Sequence, residues 1–201
     1  MKKLLLASAV ALFGLSNAQI AKGTTYVSGV VGFTQDSDNN TDKKESTFAI
    51  VPTVGYFVNT NLAIGLGVGY TNSNEKFEGD NYTTKDIHEA IVVEPFVRKY
   101  WTLGEKLYFF GQLSVPMQFG NYKYEETGEE TTKAKYNSFG VSVKPGLDYF
   151  LNKNWSIEAT IGNFGYQTTK FDHEGAKSTD NFNFGLNLKD INFGVKYVFG
   201  K

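Results

Sequence analysis

The chain has 201 residues with no cysteine, so neither disulfides nor cysteine-ligated metals can hold it together. Its 20 Lys and Arg against 21 Asp and Glu leave a formal charge of −1, which gives no reason to expect nucleic acid or a strongly anionic surface as partner. Abundant glycine (21), scarce proline (4) and 15% aromatics, without any helix-period pattern, fit a single domain of strands and turns.

Met1-Lys2-Lys3 precedes the apolar run Leu4–Leu15, and Ser16-Asn17-Ala18 supplies small residues at a cleavage position. The run is much shorter than the ~20 residues a membrane helix needs. It reads as a secretory signal peptide over residues 1–18, cut before Gln19, with residues 19–201 as the exported domain. Losing Lys2 and Lys3 takes the charge from −1 to −3.

Apolar alternation, the mark of a strand with two different faces, then recurs eight times. The first run, near Thr24–Thr34, sets Val27, Val31 and Phe33 against Tyr26, Ser28 and Gly32. The second, near Thr47–Val58, sets Phe48, Ile50, Val54 and Tyr56 against Thr47, Thr53 and Gly55. In the third, Leu62, Ile64, Leu66, Val68 and Tyr70 alternate with Ala63, Gly65, Gly67 and Gly69. The fourth has Ile91, Val93, Val97 and Trp101 against Glu94, Phe96 and Arg98, and the fifth Leu107, Phe109, Leu113 and Phe119 against Tyr108, Gln112 and Ser114. The sixth places Phe139, Val141, Val143 and Tyr149 opposite Ser138, Ser142, Lys144 and Asp148. The seventh, Trp155, Ile157 and Ile161 against Ser156 and Glu158, slips near Asn163, where a bulge is expected. In the eighth, Phe182–Leu188 alternates on the opposite parity from Ile191–Phe199, and a second bulge near Lys189-Asp190 would reconcile them.

Tight turns at Asn59-Thr60-Asn61, Thr102–Lys106 and Asn152-Lys153-Asn154 alternate with longer polar connections at Gln35–Ser46, Ser73–Asp86, Asn121–Lys135 and Lys170–Asn181. The hairpin Pro52–Ile64 is repeated almost residue for residue at Pro145–Ile157, and more loosely from Pro95 to Leu107. The prolines remove ladder donors, so local bulges are expected there. The last strand must pair on both edges if its apolar face meets lipid, because an open edge in hydrocarbon leaves peptide groups unpaired. Pairing with the first strand closes the sheet.

In its signal peptide, its Pro52–Tyr70 hairpin and its terminal Ile191–Phe199 the chain resembles the small outer-membrane β-barrel proteins of Gram-negative bacteria, the porin-like family that includes OmpX-like proteins and the OmpA barrel. The resemblance implies an all-β, eight-stranded antiparallel up-and-down transmembrane β-barrel at the cell surface. It also implies that the barrel-assembly machinery reads the aromatic end of the chain, although here Gly200-Lys201 follow it.

The apolar face carries Tyr56, Trp101, Tyr149, Trp155 and Tyr197 beside the short turns, and Phe33, Phe48, Tyr70, Phe119 and Phe139 at the opposite end. Two aromatic rings around an aliphatic band match the two interfaces of a bilayer, whereas a soluble lipocalin-like barrel would turn its apolar face inward. The interior face then offers Glu94, Arg98, Lys144, Asp148, Glu158 and Lys196. Eight strands leave a lumen that side chains just fill, so these charges must pair, and they read as a neutral plug centred on Arg98 rather than an ion path.

His88 and His173 are the only histidines; each lies among acids in a polar segment, with no serine at a telling distance and no metal-ligand spacing. The sequence therefore nominates no catalytic residue, no metal and no cofactor. The favoured role is a structural or surface-interaction barrel, a monomer whose partners are outer-membrane lipid and an extracellular ligand, with no nucleic acid. A narrow porin-like channel, which planar-bilayer conductance would reveal, is the alternative. A rim-localised lipid enzyme, which His88→Ala and His173→Ala would expose, is the third.

Overall fold

Period-two alternation of β-branched and aromatic residues builds the elements, because a pleated strand offers successive side chains to opposite faces. The computed structural model describes residues 21–38, 40–185 and 191–199. The signal peptide and its cleavage site, Gly200-Lys201 and the expected bulge at Lys189-Asp190 lie outside the described residues. Along the chain run β1 (Thr25–Asp38), β2 (Lys43–Asn59), β3 (Leu62–Glu78), β4 (Thr83–Thr102), β5 (Leu107–Ser114), β6 (Met117–Glu126), β7 (Thr132–Phe150), β8 (Trp155–Ile161), β9 (Asn163–Phe171), β10 (Thr179–Gly185) and β11 (Ile191–Phe199).

These eleven segments form eight staves. β5 and β6 keep one register against both β4 and β7 across Val115-Pro116. β8 and β9 share the next stave along β7, and β11 and β10 the one after. β11 then pairs antiparallel with β1, from Thr25 opposite Phe199 to Val30 opposite Gly194, and the ring closes. The result is the eight-stranded antiparallel up-and-down β-barrel.

The slip expected near Asn163 falls at Gly162, whose φ of 72° is a left-handed conformation that glycine adopts without steric cost. Against β7, β8 and β9 differ in register across it, and the inward parity passes from Ser156 and Glu158 to Gln167 and Thr169.

The bulges expected at Pro52, Pro95 and Pro145 do not occur. Pro52 pairs in register with Gly29, Pro95 with Leu66 and Pro145 with Gly111. Each proline instead keeps one neighbour while pairing lapses on its other side: against β3 at Val51-Pro52, against the β5–β6 break at Glu94-Pro95, and opposite the Gly162 slip at Lys144-Pro145. One missing N–H weakens one lateral contact, and the adjoining irregularity absorbs it.

The long polar connections are also corrected. Most of Gln35–Ser46, Ser73–Asp86 and Asn121–Lys135 is strand, as are both ends of Lys170–Asn181, leaving non-strand segments at 40–42, 79–82, 127–131 and 172–178 among the described residues. Polarity misleads here because, above a bilayer, both faces of a strand meet water. The hydrophobic alternation disappears while the backbone pairing continues. Cross-strand pairs hold these upper ladders, including Lys43–Glu75 at 3.0 Å, Lys123–Glu89 at 3.0 Å and the Thr47–Ser73 hydroxyls at 3.0 Å.

Inside, four aromatic rings lie flat across a glycine directly opposite on the next strand: Tyr26 on Gly55, Phe96 on Gly65, Phe110 on Gly146 and Tyr136 on Gly120. A Cβ at Gly146 would stand 2.3 Å from Phe110 Cζ and 2.6 Å from the Ala159 carbonyl oxygen. Gly146→Ala should therefore lower stability by about 1–3 kcal/mol through overpacking, seen as unfolding at lower temperature in heat-modified gel mobility. Gly104→Ala, with nothing within 4 Å of its Cβ, is the control and should not shift.

Candidate functional site

The lumen is filled in three layers. Nearest the short turns, Tyr26, Phe57, Tyr100, Tyr108 and Phe110 form a buried aromatic cluster, with centroids of Tyr26–Phe57 and Phe57–Tyr100 both 5.4 Å apart, and Phe150 packs against it 5.5 Å from Tyr108. Sequence reasoning puts Tyr26 and Tyr108 on the inner face but gives Phe57, Tyr100 and Phe110 no place there, and so misses the layer they form together. The signal is present in the hairpin repeat: of Tyr56-Phe57 and Tyr149-Phe150, the tyrosine faces out and the phenylalanine in, and in the third copy Tyr100 faces in and Trp101 out. One duplicated dipeptide supplies both the outer belt and the inner stopper.

Above it lies the charged layer. All six residues singled out from the sequence face the lumen. Arg98 Nη1 donates to Glu158 Oε2 at 2.5 Å, and its Nε donates to Gln112 Oε1 at 2.9 Å. Gln112 in turn donates to Glu94 at 3.2 Å, and Lys144 Nζ donates to the same Glu94 at 2.8 Å. On the other side, Arg98 donates to the Tyr100 hydroxyl at 3.3 Å, Lys196 donates to it at 3.4 Å, and Lys196 pairs with Asp148 with both side chains fully buried. Ser28 donates to Glu158. The six charges are thus linked into one network. Arg98 is at its middle, but it touches one carboxylate rather than bridging two; the neutral Gln112 and Tyr100 carry the remaining links.

The cations are further enclosed by rings. The Arg98 guanidinium sits 4.2 Å from the Phe110 centroid, and the Lys196 ammonium lies 5.0–5.3 Å from Phe150, Tyr100 and Tyr26. Asp148 Oδ1 and Ser156 Oγ have no hydrogen-bond partner among the described residues, so the fully buried end of the network is less well satisfied than its middle.

The uppermost layer is built of His88 and aromatic rings. The His88 ring centroid lies 4.9 Å from that of Tyr122 and 5.7 Å from that of Tyr136, and Phe171 packs edge-on against Tyr122 and tilted against Tyr136. Tyr122 donates to Asp86, and burial together with that carboxylate acceptor pushes its phenol up to about 12. Hydrogen bonding to Glu75 holds the Lys43 ammonium above its ordinary range, and Glu75 correspondingly below its own. His173 Nδ1 meets the Glu174 carbonyl at 3.1 Å. Neither histidine meets a hydroxyl and an acid arranged for proton transfer among the described contacts.

Outside, the upper residues Phe33, Phe48, Tyr70, Phe119 and Phe139, and Tyr56, Trp101, Tyr149 and Trp155 below, are exposed on the outer face; Tyr197 is half-buried against Trp155, centroids 4.9 Å apart. Phe182 and Phe184, to which the sequence assigns no face, also project outward, 74% and 77% exposed.

A family model described as the outer membrane protein beta-barrel domain matches residues 4–199. No curated protein matches the sequence. Among solved structures the chain is similar to the N-terminal β-barrel domain of OprF from Pseudomonas aeruginosa, at 10% identity over 89% of this chain and 98% of that one, with a TM-score of 0.45. It is similar to Ail, the attachment invasion locus protein of Yersinia pestis, at 13% identity over 89% and 100%, TM-score 0.46. A major outer membrane protein from Thermus thermophilus gives 13% identity over 89% and 100%, TM-score 0.49.

Proposed function

The chain belongs to the outer membrane protein beta-barrel domain family, and on that premise we propose that it is a closed surface barrel whose hairpins above the membrane meet partners outside the cell. The observation that carries this reading is the filling of the lumen at membrane height by the aromatic cluster and the six-charge network, while the staves continue well past the upper aromatic ring. A barrel stoppered in this way offers its upper walls, not its bore, to other molecules. The partners on this reading are the lipid around the belt, the assembly machinery during biogenesis and an extracellular ligand at the hairpins, with the barrel acting as a monomer. Residues 1–18 are a signal peptide removed before Gln19, which N-terminal sequencing of the outer-membrane fraction would test.

The porin-like alternative requires a wet path through Arg98, Glu158 and the rings beneath them. Purified protein in planar bilayers should show no steady single-channel current above the protein-free baseline; sustained ion flow would overturn the closed reading. The packing of His88 among Tyr122 and Tyr136 supports a structural role for that residue rather than catalysis. Shortening the β3–β4 hairpin above Asn74 and Ile87 should leave the barrel folded while weakening the binding of partners at its extracellular end.

A further inference from the structure

The ion pairs that hold the six lumen charges differ in chemistry. Arg98 meets Glu158 through a guanidinium, which is no nucleophile. Lys144 meets Glu94 through an amine, but their side chains are 27% and 12% exposed, so water reaches them. Lys196 and Asp148 combine a primary amine, a carboxyl group and no exposure at all. The amine is enclosed by the rings of Phe150, Tyr100 and Tyr26, with centroids at 5.0, 5.1 and 5.3 Å, and it donates to Asp148 Oδ2. Asp148 Oδ1 meets no partner among the described residues. A buried carboxylate with one oxygen unpaired keeps part of its desolvation cost uncompensated. Register brings the two groups together. Asp148 on β7 stands across the ladder from Glu158 on β8, and Lys196 on β11 stands across from Ser156 on the same strand. The side chains converge over β8, and they do so only once β11 has taken its place.

We propose that Lys196 and Asp148 condense to an intramolecular amide, a covalent staple from β7 to β11 that sets once the barrel has closed. The two groups are already in contact, so the reaction needs no encounter, and a lysine desolvated among apolar rings is an activated nucleophile. The ammonium first passes one proton to Asp148 Oδ2 across the contact they make, leaving an amine and an acid. The Nζ lone pair adds to Cγ, and the electron pair of the carbonyl bond moves to Oδ1. As this intermediate collapses, the Cγ–Oδ2 bond breaks and a second proton from Nζ leaves with that oxygen as water. The Tyr100 hydroxyl, 3.4 Å from Nζ, is placed to carry that proton. Nothing is oxidised or reduced, and no co-reactant is needed. Both charges vanish, and Oδ1 remains as a neutral carbonyl, which is cheaper to bury without a partner than a carboxylate. Exclusion of bulk water protects the bond from hydrolysis. A chain without cysteine thereby gains a cross-link between residues 48 positions apart, which constrains the unfolded chain as a disulfide does. The staple stands whether or not the hairpins bind partners.

The test is the intact mass of the fully denatured chain, taken once from folded protein in outer membranes and once from inclusion bodies before folding. The chain from the folded barrel should be lighter by one water than its own sequence requires. The chain from inclusion bodies should carry its full mass and lose the water only after folding into vesicles. Tryptic digestion of the folded product should yield one branched peptide joining Asp148 to Lys196, with no cleavage after Lys196. Lys196→Arg offers Asp148 a cation but no amine, and should keep its full mass. Tyr100→Phe should slow the loss of water during folding about tenfold or more; an unchanged rate would overturn the part given to Tyr100. Full sequence mass in the folded wild-type chain would overturn the staple and leave an ordinary ion pair. So would a lost water that the peptide map places elsewhere, or the same loss in Lys196→Arg. Should a variant not fold, the mass and peptide map of the wild type decide alone.

Discussion

Arg98→Ala is expected to lower the stability of the folded barrel by about 3–5 kcal/mol, the range for removing one partner of a buried ion pair, while conductance in planar bilayers stays at baseline. The side chains of Arg98 and Glu158 are 5% and 4% exposed, so the carboxylate left behind has no access to bulk water. Ser28 remains as its donor, and one hydroxyl does not replace a guanidinium. The loss also removes a donor to Gln112 and one to Tyr100, loosening the links toward Glu94 on one side and Lys196 on the other. The layer below loses its Arg98 contacts to Tyr100 and Phe110 but keeps its ring–ring packing among Phe57, Tyr100, Tyr108 and Phe110, which is why the bore remains shut. The unfolding midpoint of the variant in vesicles, followed by gel mobility, measures the first part and single-channel recording the second. Adding Glu158→Gln should recover a large share of the stability, because the stranded charge is gone. A variant that melts like wild type would show that water already reaches Glu158 and that the interior is a wet channel.

Most of this interior can be read from alternation alone. Once Val97 and Trp101 are turned to lipid, Glu94 and Arg98 have nowhere to go but inward, and closing the ring brings Lys196 on β11 into the same lumen as Asp148 on β7. What alternation cannot supply is height. The lateral position of each group depends on register, and register depends on the Gly162 slip and on how the prolines are absorbed. Hence the role of Gln112 as the link between Arg98 and Glu94 is not visible in the sequence, although alternation puts Gln112 on the correct face. The aromatic stopper escapes for a different reason. Phe57 and Phe150 each adjoin an outward tyrosine, and only the cross-strand pairing of Tyr26 with Gly55 and of Phe110 with Gly146 reveals rings laid over glycines. The upper walls are hidden because a strand wet on both faces has no hydrophobic signature. The charge alternation there, Lys76 outward beside Glu75 inward, is the surviving trace, and it is one that a polar loop would share.

The assignment of the outer face to lipid carries the other large expected effect. Leu66 is 46% exposed and stands between Ile64 and Val68, themselves 46% and 48% exposed, with Tyr70 above and Tyr56 on the neighbouring strand below. In water, a half-exposed leucine replaced by arginine would change stability by no more than about ±0.5 kcal/mol. At the middle of a bilayer the same change should cost about 2–4 kcal/mol, because the guanidinium must be desolvated or draw water and headgroups inward. Leu113, 50% exposed between Val97 and Val143 on the flanking strands, should behave alike. Asn74, on the outer face of β3 above Tyr70, provides the depth control: Asn74→Arg lies beyond the hydrocarbon and should cost about 0–1 kcal/mol. Unfolding midpoints of the three variants in vesicles give the comparison directly. A graded loss, large at Leu66 and Leu113 and small at Asn74, is the signature of a hydrocarbon slab around the barrel. Equal tolerance at all three positions would mean that the exposed aliphatic band faces water, and the two aromatic rings would then need another explanation.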